Sequence, residues 1–146
     1  MLKLKHITEK DIKKLNGTAY EDMSKDNKLK MIKEASEGNS RGKFFKFFLV
    51  ENDGETVGVI NFCGHSKSVV SIAPEIKKEH RGKGCAKGAI NLSIDYAKSL
   101  GYKIAYAGIK EDNIASIRLH ESLGFEFVQD FLSSRGNKLK MFIKTL

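Results

Sequence analysis

Glu79-His80-Arg81-Gly82-Lys83-Gly84-Cys85-Ala86 separates a segment with the period of a strand from one with the period of a helix. Before it, Val70, Ile72, Pro74 and Ile76 alternate with polar or small residues; after it, Ala86, Ala89, Ile90, Ser93, Ile94 and Ala97 recur at helical spacing. Gly101 follows where a helix C-cap belongs. A glycine-rich loop that opens a helix brings unpaired amides and about half a positive charge to one point. Its glycines let a phosphate approach the backbone closely, and Arg81, Lys83 and Lys87 add mobile cations. The stretch therefore predicts a phosphate or pyrophosphate ligand, with a ligand-free structural turn as the alternative. A Walker GxxxxGK[ST] pattern is absent, and a dinucleotide GxGxxG would need glycine where Lys87 stands.

Working outward, residues 1–6 read as a strand. Thr8 with Asp11 resembles a capping box opening a short helix through Leu15, and Ser24 caps a second helix running to about Ser36. Phe44 to Val50 is too short and aromatic for a helix and reads as a largely buried strand. Asn52-Asp53-Gly54-Glu55 supplies a hairpin turn to a strand over Thr56 to Cys63, and Gly64 to Lys67 turns again into the Val70–Ile76 strand. Pro74 has no N–H, so that strand must be bulged or unpaired on one side there. Ile104 to Ile109 reads as a strand, Asn113 opens a helix stopping at Gly124, and strands follow over Phe125 to Val128 and Leu139 to Leu146. The sum is an α+β fold, a mixed and mostly antiparallel twisted sheet flanked by helices, in a single domain over residues 1–146.

With 146 residues and 40% apolar content the chain can bury a core without disulfides. Cys63 and Cys85 lie in no metal-ligand pattern, so no metal site is expected, and a reducing, cytoplasmic compartment is. No run approaches the ~18 apolar residues of a membrane helix. A net charge of +8 favours polyanionic ligands. The lysines around the loop are not interleaved with aromatic residues as a single-strand nucleic-acid surface would be.

Arg81-Gly82-Lys83-Gly84-Cys85-Ala86 resembles the R/Q-x-x-G-x-G/A signature of the GNAT N-acetyltransferase superfamily. Asn113 to Phe125, Asn-Ile-Ala-Ser-Ile-Arg-Leu-His-Glu-Ser-Leu-Gly-Phe, is similar to that family's N-x-x-S-x-x-x-Y-x-x-x-G-F. The likeness covers residues 44–146 well and residues 7–42 only in their two helices. It implies a GNAT-like fold and an acetyl-CoA-dependent N-acetyltransferase that moves an acetyl group to a primary amine by direct transfer in a ternary complex. By the same resemblance, Arg81, Gly82, Lys83, Gly84, Cys85 and Ala86 hold the coenzyme A pyrophosphate. The backbone of Glu75, Ile76 and Lys77 would lie against the pantetheine arm where two parallel strands splay, and Asn113 and Ser116 would approach the pantetheine or the thioester end. Read from the residues alone, Asn113 is a helix N-cap. The acceptor would be a small-molecule or peptide amine, shaped by residues 16–42 and the turns at 64–67 and 129–137. Similar proteins are commonly homodimers. A non-catalytic acyl-CoA-binding or regulatory domain of the same fold is the alternative.

Acetyl transfer needs a neutral amine and a proton for the leaving thiolate. Positions 113, 116, 117 and 120 share one helical face. In the family, position 120 is usually tyrosine and the usual general acid; here it is His120, which can donate from either ring nitrogen. Glu75, beside the splay, and Glu51, at the end of an earlier strand, could each act as a base through water. No activating base accompanies Cys63 or Cys85, so both read as small buried hydrophobes.

Overall fold

The computed structural model describes residues 1–146. Its strands are β1 (Leu2–His6), β2 (Asn39–Ser40), β3 (Lys43–Asn52), β4 (Glu55–Gly64), β5 (Val69–Ile76), β6 (Ile104–Lys110), β7 (Glu126–Leu132) and β8 (Lys138–Thr145). The helices are α1 (Lys25–Glu37), α2 (Cys85–Ser99) and α3 (Ile114–Ser122). The sheet order is β1-β3-β4-β5-β6-β8-β7, with β2 beside β3. Every neighbouring pair is antiparallel except β5 and β6, giving the mixed, mostly antiparallel sheet that the periodicities predict.

The Phe44–Val50 run serves two cores at once. Phe45, Phe47 and Leu49 face Ile32 and Ala35 of α1. Phe48 and Val50 point the other way, into the core that Ile90 and Ile94 of α2 close. A strand covered on both faces has no use for polar alternation, which is why the run is continuous. Asp53 and Gly54 both take positive φ, of 51° and 85°, as the two-residue turn into β4 requires.

The short helix expected after Thr8 forms over Glu9–Leu15, wound as a tight 3-10 helix. One local reading differs from the structure. Residues 129–132, expected to be turn, continue β7 to Leu132; Val128 is the extra residue of a bulge between Phe127 and Gln129. That bulge breaks the alternation from which the strand's length would be read.

The expected capping box pairs Thr8 with Asp11. The Asp11 carboxylate accepts from the Thr8 amide at 2.9 Å and the Thr8 hydroxyl at 3.0 Å. It also pairs with Lys5 and Lys14, each at 3.1 Å. Burial raises the carboxyl's pKa, but the Thr8 amide and the two lysines outweigh it and hold the group down to about 2. A depressed carboxyl stabilises the fold above its unfolded pKa and ceases to as pH falls through its folded one. Asp11→Asn is therefore expected to cost about 2 kcal/mol in urea unfolding at neutral pH, with the difference from the unsubstituted protein shrinking as pH falls from about 4 toward 2.

Candidate active site

The site begins as a defect in the sheet. β5 and β6 pair in parallel at only three positions, Val69 with Ile104, Val70 with Ala105 and Ser71 with Tyr106. Beyond them β5 stays with β4 as far as Ile76, and β6 stays with β8 as far as Lys110. Each strand is held by its outer neighbour while the two draw apart.

Residue chemistry keeps the gap open. The Lys77 amide donates to Val57 of β4 at 2.8 Å, so by the alternation of an antiparallel ladder Glu75 also faces β4 while Pro74 and Ile76 face β6. Pro74 thus presents a ring nitrogen where a ladder donor would be needed. The carbonyl of Ile76 is taken by Arg81 Nε at 2.9 Å. Of the three residues whose backbone was expected to face the gap, Ile76 does, whereas the main chain of Glu75 and Lys77 is turned to β4.

Directly after β5 comes the glycine loop. Gly82 and Gly84 have φ of 77° and 80°, and a Cβ built at either meets nothing within 4 Å. Both conformations favour glycine, and the space beside them is free. Gly84 is the N-cap of α2 and offers no side chain to the first turn, which carries no acidic residue. None of the amides from Gly82 to Lys87 donates to a protein oxygen; the first to do so is Gly88, to Gly84 at 3.1 Å. A helix ordinarily leaves four amides unpaired; the loop lengthens that run. Ile76, Arg81, Gly82, Gly84, Cys85 and Ala86 line a cleft of about 350 Å³ with Ala115 and Leu119 of α3. The Lys83 side chain lies outside it, and Cys85 is buried in the core below.

The gap itself is a cavity of about 820 Å³ bounded by β5, β6 and α3, and Glu75, Asn113, Ser116 and His120 all reach it. Asn113 caps α3, its side chain accepting from the Ser116 amide at 3.2 Å, as its residue type suggests. His120 is buried, with Nδ1 at 2.8 Å from the Ser116 carbonyl and 3.4 Å from the Ser116 hydroxyl. A carbonyl can only accept, so Nδ1 carries the proton and Nε2 keeps its lone pair. Burial lowers the imidazole pKa, partly opposed by that carbonyl. The helix ends as a Schellman turn, with Gly124 donating to Glu121 and Phe125 to His120, both at 3.0 Å. The turn sets the Phe125 ring edge-on to the imidazole, centroids 5.0 Å apart.

The other candidates lie apart from the gap or are engaged. Glu51 pairs with Lys14 at 3.6 Å, two strands from β5. Both Glu75 carboxylate oxygens accept from the Ala19 amide, at 2.8 and 3.1 Å. The Cys63 thiol donates to Asn61 at 3.0 Å, and burial pushes its pKa up. Tyr106 and Phe131, which also line the gap, had no motif to announce them. Their one signal is register, opposite Ser71 and Leu139 respectively.

Over residues 2–126 the chain matches the acetyltransferase (GNAT) domain, and it belongs to that family. It is 48% identical over 46 residues to an L-methionine sulfoximine/L-methionine sulfone acetyltransferase of Salmonella typhimurium, a stretch covering 32% of this chain and only 27% of that relative. Against an uncharacterized N-acetyltransferase, p20, of Bacillus licheniformis it is 26% identical over 92% of this chain and 78% of that one. Among solved structures it resembles yncA, an acetyltransferase-like protein of Salmonella typhimurium determined with acetyl-CoA, with a TM-score of 0.77 and 23% identity over 100% of this chain and 94% of the other. That last likeness is one of fold.

The free amides, the cradle that a Cβ would fill and the unpaired strand edges suit the linked phosphates and extended arm of acetyl-CoA. Gly84→Val places a β-branched side chain in that cradle at a strained φ. It is expected to weaken acetyl-CoA binding by roughly tenfold or more by calorimetry, while the far-ultraviolet circular dichroism stays that of the unsubstituted protein. An unchanged Kd would detach the loop from the ligand.

Proposed function

We propose that this chain is an acetyl-CoA-dependent N-acetyltransferase acting on a primary amine, small molecule or peptide, by direct transfer in a ternary complex. The observation that carries the reading is the continuity of two unsatisfied surfaces. The free amides of Gly82 to Lys87 stand at the end of the strand whose far edge is unpaired. In this reading the amides at 82–87 hold the pyrophosphate, and the gap-facing edge at Pro74 and Ile76 holds the arm. Acetyl-CoA, when bound, supplies the acetyl thioester.

His120 is the group in the gap best suited to moving a proton. With Nδ1–H committed to the Ser116 carbonyl and a lowered pKa, the resting ring is neutral and Nε2 accepts rather than donates. The general acid expected at this position must therefore gain a proton before giving one. In the proposed mechanism Nε2 takes the proton that the amine sheds on attack and returns one, on the same atom, to the departing sulfur. The Phe125 ring and the Ser116 carbonyl hold the imidazole in that orientation. One nitrogen then serves as base and acid in turn, and no second base is assigned.

Thiol release from acetyl-CoA over a panel of amines tests the reading. Acetyl-CoA binding without turnover of any amine would favour the non-catalytic acyl-CoA-binding alternative. For an amine that is turned over, kcat at saturating amine should fall only on the acid side of the ordinary histidine range and stay level above it, because burial lowers the His120 pKa and the ring works only while neutral. His120→Phe is expected to remove that acid limb and lower kcat by ~10²–10⁴-fold with little change in acetyl-CoA affinity. An unaltered rate would take the histidine out of the mechanism.

A further inference from the structure

We infer that Glu75 acts as a positioning residue, latching the Gly17–Tyr20 segment across the acceptor side of the gap rather than removing a proton. The inference rests on the transferase reading for its consequence in turnover, while the latch itself belongs to the unliganded fold.

The geometry of β5 sets the side chain's direction. Ile72 and Ile76 enter the core under α2, so Glu75, between them in the alternation, projects from the opposite face, where α1 lies. There both of its oxygens meet one donor, the Ala19 amide, at 2.8 and 3.1 Å. Two residues along, the Lys77 stem runs against Gly17, its Cδ 3.5 Å from where a Cβ would stand. The segment from Gly17 to Met23 has no ladder of its own. Its other backbone bonds are local, Thr18 to Leu15, Tyr20 to the Thr18 hydroxyl, Glu21 to Thr18 and Met23 to Tyr20. Ala19 to Glu75 is the one backbone bond tying this strap to the sheet, across 56 residues of sequence.

What the latch positions is Tyr20. Its ring packs edge-on to Phe47, centroids 5.0 Å apart, and its hydroxyl stands 3.4 Å from Asn61 Nδ2 of β4. Asn61 is registered opposite Ala73, and Val59 opposite Glu75, and both β5 residues line the gap. The strap therefore lies over β4 beside the opening, joined to its lining through Glu75, on the face away from the α3 side chains. An amine arriving from that face passes a wall whose place depends on Glu75. Burial, with the Glu75 charge adding to it, raises the Tyr20 pKa, so the wall presents a neutral hydroxyl.

A base needs a free lone pair and a proton-accepting charge; a latch needs only an oxygen that accepts. Glutamine keeps the second and lacks the first, and alanine lacks both. In the unliganded protein, Glu75→Ala is expected to speed hydrogen exchange of the Ala19 amide by roughly tenfold or more, read by nuclear magnetic resonance. With a turned-over amine it should raise the amine KM by roughly tenfold, leaving kcat, its acid limb and acetyl-CoA affinity unchanged. Glu75→Gln should restore both exchange and KM toward the unsubstituted values. Loss of kcat or of the acid limb in Glu75→Gln would identify a base and overturn the inference. So would an Ala19 amide that exchanges as slowly in Glu75→Ala as before. If no amine is turned over the transferase reading fails by itself, and the Ala19 exchange still decides the latch.

Discussion

A sheet normally satisfies its backbone by pairing each strand on both sides, and an unpaired edge inside a domain is tolerated only with compensation. Here two strands part in the middle of the sheet after three parallel pairs, and the surrounding features follow from that parting. Pro74 removes a donor from the exposed edge, and Arg81 satisfies an acceptor at its end. β4 and β8 keep the two strands straight from outside. α3, which starts soon after β6 ends, covers one mouth of the opening and aims Asn113, Ser116 and His120 at it. The gap costs ladder bonds that a ligand with amide groups along its length can replace.

Much of this was legible because it is local. The glycine loop, the change of period around it, the N-cap at Asn113 and the stop at Gly124 each depend on residues within a few positions of one another. Pro74 carried more, since a residue without an N–H in a strand of core periodicity implies an interrupted ladder somewhere. The sequence could not show which neighbour is lost, because that depends on the register of Lys77 against Val57. β7 was read too short for a similar reason, its bulge at Val128 hiding the continuation to Leu132.

The reading of the site was weakest where long-range contacts set the chemistry. His120 could be named from its place in a motif, but its tautomer depends on a carbonyl one turn back and on burial beneath Phe125. Those two contacts turn an expected proton donor into an acceptor at rest. Glu75 was named for its nearness to the gap, and its engagement with Ala19 lies 56 residues away. A carboxylate's neighbours across the fold decide whether it is a base, and no local pattern records them.

The Ser71–Tyr106 end of the parallel pairing has a mechanical side. β1 to β5 form one panel of the sheet and β6 to β8 another, paired edge to edge at three positions and sharing the core under α2. Such a joint is the compliant line of an otherwise stiff plate. Any molecule that bonds to both panels works as a splint across it, favouring the closed plate by mass action. An occupant of the seam would add its cross-links where the ladder supplies fewest.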